Sequence, residues 1–83
     1  MMYEEFRAWL KNSKGFSTRS SNDVISRLKR VMILADVETV DSNTNSLLEN
    51  SNRFVNCSMS VKSQLRRAII LYNEFSINEA NND

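Results

Sequence analysis

The chain has 83 residues with one glycine, no proline, no histidine and one cysteine. That is room for a single small domain, near the lower limit of what a core without disulfides or metal sustains, and few breakers favour an all-helical chain. The net charge of +1 hides a segregation: residues 1–35 carry +4, residues 36–52 carry −4 and residues 53–75 carry +3. In chain order, Phe6, Trp9 and Leu10 share one face of a first helix over residues 2–12, with Trp9 the largest apolar side chain on it. Gly15 follows where a left-handed backbone conformation is needed, and Ser17 offers an N-cap oxygen to a second helix ending near residue 35. Val24, Leu28, Val31, Met32 and Ala35 form the buried stripe of that helix, and Ile33 widens its apolar surface. Residues 36–43 make an acidic connector, exposed and mobile, pinned by Val37 and Val40.

A short third helix is predicted from residue 44 to residue 50 or a few residues beyond, anchored by Leu47 and Leu48, with Phe54 and Val55 nearby. The fourth starts at Ser58 or Ser60 and runs to residue 75, with Val61, Leu65, Ala68, Ile69 and Tyr72 buried. Its apolar spacing repeats that of the second helix, 37 residues earlier. Two hairpins, each a short helix followed by a long one, must therefore pack on each other to bury both stripes. The predicted fold is an all-α, compact four-helix bundle over residues 1–75, with a polar, frayed tail over residues 76–83. Leu71 is expected inside the bundle and Ile70 on a partner surface, because Ile70 lies about 180° from Val61 on the helical wheel.

Catalysis has no residues to carry it. There is no histidine for general base work, no Walker loop, and no HExxH, CxxC or GxSxG motif. Asp36, Glu38 and Asp41 are read as solvating a loop, not holding a metal, and Cys57 as a small hydrophobe. No cofactor and no small-molecule substrate are expected. No apolar run approaches the ~18 residues of a membrane span, and Glu4 and Glu5 disrupt any signal peptide, so a soluble, cytoplasmic protein is expected without membrane partners. The lone cysteine agrees with an intracellular setting.

The basic residues gather on two helices. Arg19, Arg27 and Arg30 fall within about 80° of one another on the second helix, with Asp23 among them. Lys11 and Lys14 lie in the loop that feeds it, and Ser17, Thr18 and Ser20 with the free N–H groups of the helix start offer a phosphate site. Lys62, Ser63, Arg66 and Arg67 crowd the first two turns of the fourth helix.

Two motifs carry a family resemblance. The first is Trp9 and Leu10, then Gly15, Phe16 and Ser17, then Ser20, Val24 and Leu28; the second is SVKSQLRRAIILYNEF near the C-terminus. Together they resemble the SAM-like core-binding domain of phage integrases and other tyrosine recombinases over roughly residues 3 to 75. The family more often has Thr at the position of Ser20 and Tyr at that of Val24. The resemblance implies a non-catalytic module that clamps double-stranded DNA with its second and fourth helices. Catalysis in that family belongs to a separate C-terminal domain, with arginines, a histidine-containing motif and a tyrosine nucleophile; Tyr3 and Tyr72 match none of these. Implied partners are duplex DNA, a catalytic domain following this one, and other recombinase subunits. The alternative is a small helical protein-interaction module or regulator of the same fold without DNA affinity.

Overall fold

A computed structural model describes residues 3–80; the expected helix start at residue 2 and the last tail residues, 81–83, lie outside them. Among the described residues every regular element is helical: α1 (Tyr3–Asn12), α2 (Thr18–Ala35), α3 (Thr44–Glu49), α4 (Asn52–Val55) and α5 (Met59–Ala80). None is long and apolar enough to cross a membrane.

Helix α1 opens with Glu4 and Glu5 and closes with Lys11, charges that complement its dipole. Phe6 and Leu10, one turn apart, are fully buried. Phe6, and not the larger Trp9, holds the centre of the packing. Trp9 projects about 60° to one side of Phe6 and only its inner part reaches the core, which suits a ring too large to bury easily. Around Phe6 the rings of Tyr72 and Phe75 lie at 5.1 and 5.3 Å, and Trp9 stacks at 6.1 Å. Phe54 is buried as a second aromatic anchor.

The α1–α2 turn follows the sequence pattern. Gly15 has φ +71°, and an added Cβ would meet nothing there, so the constraint is backbone conformation alone. Ser17 is the N-cap of α2: its Oγ accepts the Ser20 N–H at 3.1 Å. Ser21, fully buried, donates its hydroxyl to the Ser17 carbonyl at 2.9 Å. The buried arc of α2 is wider than the expected stripe. Ser21, Ile25 and Leu34 join Val24, Leu28 and Val31, while Met32 and Ala35 are only half-buried. The width follows from position, since α2 packs against α1, α3 and α5.

Helix α2 ends at Asp36, whose φ of 57° is left-handed. The N–H groups of Asp36 and Val37 return to the carbonyls of Ile33 and Met32 at 3.3 and 3.0 Å, a Schellman closure with aspartate where glycine is favoured. Asp36→Gly should therefore raise stability by up to ~1 kcal/mol, the Cβ strain removed less the added freedom of the unfolded chain. A lower melting temperature would contradict a strained cap.

The connector is held at both ends. Val40 is buried, Asp41 Oδ1 accepts the Asn43 N–H at 2.8 Å, and Thr44 Oγ1 accepts the Asp41 N–H at 2.9 Å. The expected third helix is broken in two. Ser51 adopts an extended conformation and caps a new turn through the Phe54 N–H, so the Asn50–Ser51–Asn52 run restarts the chain where these side chains compete with the helical ladder. Helix α5, capped by Ser58 Oγ on the Val61 N–H, continues past Phe75 to Ala80. Its last turns lie beside Val40, Asp41 and Ser42, and Asn73 Nδ2 donates to the Asp41 carbonyl at 3.5 Å. Leu71 is buried and Ile70 is exposed, the division expected from the wheel.

Candidate nucleic-acid interface

Helices α2 and α5 make the largest inter-helix contact, and their basic flanks meet along one groove of about 240 Å³. Arg27 from α2 and Arg67 from α5 line it, with Ser20 and Asp23 on the α2 side, Gln64 on the α5 side and Phe16 at the loop end. Arg27 is half-buried and Arg67 exposed. Among the described residues neither makes an ion pair, although Asp23 shares their groove. The rim is thus two guanidinium groups, each able to donate several hydrogen bonds, over an apolar floor of Val24 and Ala68.

The other candidates are differently placed. Arg19, Arg30, Lys11 and Thr18 are exposed; among the described residues no ion pair engages these three cations. Ser17 has its oxygen committed to the cap, leaving its hydroxyl proton for another acceptor. Lys14 pairs with Glu74 of α5, with its ammonium 5.5 Å from the centre of the Trp9 ring. Lys62 and Arg66 both sit over Phe54, at 5.8 and 5.3 Å. Arg66 is the most constrained: its Nε and Nη2 donate to the two carboxylate oxygens of Glu49 at 2.7 and 3.1 Å. Ser63 and Arg67 line a second groove along the outer face of α5, with Lys14, Arg66 and Glu74.

The hydrogen bond from Arg66 holds the Glu49 carboxyl below the ordinary carboxylate range. A carboxyl with a lowered folded-state value adds stability above its unfolded value and loses it as the pH falls through the folded one. The melting-temperature difference between the parent and Glu49→Gln should accordingly be present near neutrality and vanish in acid. The gap stays small, because both side chains are 39% exposed and solvent screens the pair. A gap that widened towards low pH would contradict the pairing.

Three groove residues fall outside the charge pattern of the sequence: Gln64, Phe16 and Ser20 as a wall residue. Gln64 stands three positions before Arg67, so a search for polar neighbours at helical spacing would have found it. The Glu49–Arg66 pair joins residues 17 positions apart and leaves no local signal. Among the described residues no group of three or more acidic, cysteine or histidine side chains is arranged to hold a metal ion. No protein-family model matches the chain, and comparison with curated proteins and with solved structures finds no match either.

Proposed function

We propose that this chain is a non-catalytic module for duplex DNA, the core-binding domain of a phage or mobile-element integrase or another tyrosine recombinase. In this reading α1 with α2, and the α3–α4 segment with α5, are the two hairpins of a SAM-like four-helix bundle, with α4 a break in its third helix. The module acts in the cytoplasm, takes no cofactor, and leaves strand cleavage to a separate catalytic domain. The observation that carries the reading is the pairing of Arg27 and Arg67 across the α2–α5 groove. Two cations from two helices, with Arg19 and Arg30 further round α2, are suited to the phosphates that flank a groove of the double helix. Gln64, Ser20 and Asp23 between them supply donors and acceptors of the kind that read base edges.

A protein-interaction module is the second reading. It is favoured by the neutralisation of Lys14 by Glu74 and of Arg66 by Glu49, and by the exposure of Ile33 and Ile70. Fluorescence anisotropy of a labelled duplex separates the two. The DNA reading expects saturable binding at ~50 mM salt that weakens steeply towards ~200 mM, as counterion release requires. No binding at high micromolar protein and low salt would leave the interaction reading.

A further inference from the structure

Helix α5 has two apolar faces. Leu65, Ala68, Ile69, Tyr72 and Phe75 fill the core from one side. On the opposite side Met59, Ile70 and Ile77 are 73%, 65% and 61% exposed. They stand about three turns and then about two turns apart, and fall within about 20° of one another on the wheel. The stripe therefore runs straight along the outer surface for about 27 Å. Their exposure shows that no layer of the described residues covers the stripe.

Charge along this face is polarised. Before Ile70 this side of α5 carries Lys62, Arg66 and Arg67; after it the acid on the same side is Glu74, which also pairs with Lys14, whereas Glu79 lies about 180° round the wheel. Around Ile70 the surface opens into a groove of about 410 Å³ edged by Lys14, Arg66, Arg67 and Glu74. Arg67 before the central isoleucine and Glu74 after it, about 60° and 40° to the same side of it, make this face complementary to itself when reversed. Laid antiparallel on a second copy about a two-fold axis at Ile70, Arg67 meets the partner's Glu74 twice over, each Glu74 being shared with Lys14 of its own chain. The isoleucines at the axis face each other, and Ile77 lies over the short side chain of the partner's Ser63. A self-complementary patch of this kind is what a closed, isologous dimer requires.

We infer that the outer face of α5 binds a second copy of this chain, forming an antiparallel two-fold dimer centred on Ile70. This inference shares Arg67 with the DNA reading but does not rest on it: its test contains no DNA, and Arg19, Arg27 and Arg30 lie on α2. The interface is one helix wide with a charged rim, so the dimer is weak and exchanges rapidly.

Sedimentation velocity of the full chain from ~10 µM to ~1 mM should show a reversible monomer–dimer equilibrium with a midpoint on the order of 100 µM. Ile70→Asp should leave a monomer throughout that range, with helix content unchanged and melting within ~4 °C of the parent. Charge reversal tests the register. Arg67→Glu alone and Glu74→Arg alone each place like charges together twice and should each dimerise at least tenfold more weakly. Mixed in equal amounts they restore both opposite-charge contacts, so the mixture should associate as the parent does. A parent that stays monomeric at ~1 mM overturns the inference, and so does dimerisation that survives Ile70→Asp. If the two charge variants associate no better together than apart, the antiparallel register is wrong and the inference falls with it.

Discussion

Phe6→Ala should strongly destabilise the domain, and should cost more than the same truncation of Trp9. Phe6 has no exposed surface and lies within 5.1–6.1 Å of the rings of Trp9, Tyr72 and Phe75, so its removal opens a cavity where α1 meets α5. Large aromatic truncations of this kind cost ~3–5 kcal/mol. A domain of this size has a total stability of roughly 4–12 kcal/mol, so the loss takes between about a quarter and all of the margin. Trp9→Ala should cost less, about 1–3 kcal/mol, because part of the indole already faces solvent under Lys14. Urea unfolding followed by circular dichroism measures both. A reversed order would place the hub of the core at Trp9.

The largest functional effect is expected from Arg27→Ala combined with Arg67→Ala. If each guanidinium neutralises one phosphate, the double variant loses two counterion-releasing contacts. The slope of log K against log salt flattens by ~2, and affinity falls ~10–100-fold at ~50 mM salt. Arg19→Ala with Arg30→Ala should flatten the slope in the same way, since both are exposed on α2. Lys62→Ala with Arg66→Ala should do less to the slope and more to stability, because Arg66 is spent on Glu49 and both cations cover Phe54. Equal slopes in the parent and the Arg27/Arg67 variant would remove the α2–α5 groove from the interface.

The residues whose structure could be read locally behave as local physics dictates. Gly15, Ser17 and the stripe of Leu65, Ala68, Ile69 and Tyr72 sit where backbone freedom, capping and a 3.6-residue period put them. Leu71 and Ile70, both off the main stripe and one angular step apart, fall on opposite sides of the surface. What escaped the pattern depends on neighbours distant in sequence. Phe6 outranks Trp9 because Tyr72 and Phe75 approach it from α5. Ile25 and Leu34 are buried because α2 has partners on more than one side. The candidate site divides in the same manner. The basic clusters were visible as charge on two helices, whereas the pairings that neutralise Lys14 and Arg66 arise only when α5 packs on the α1–α2 loop and on α3.

The most direct test of DNA binding through the α2–α5 groove is a chemical-shift map of the ¹⁵N-labelled chain titrated with a short duplex at ~50 mM salt, where non-specific contacts are strong. The groove predicts shifts concentrated at Thr18, Arg19 and Ser20, at Arg27 and Arg30, and at Gln64 and Arg67, including the Arg Nε–H and Gln64 side-chain signals, with little change around Ile33. No shifts at high micromolar DNA, or shifts confined to Met59, Ile70 and Ile77, would contradict it.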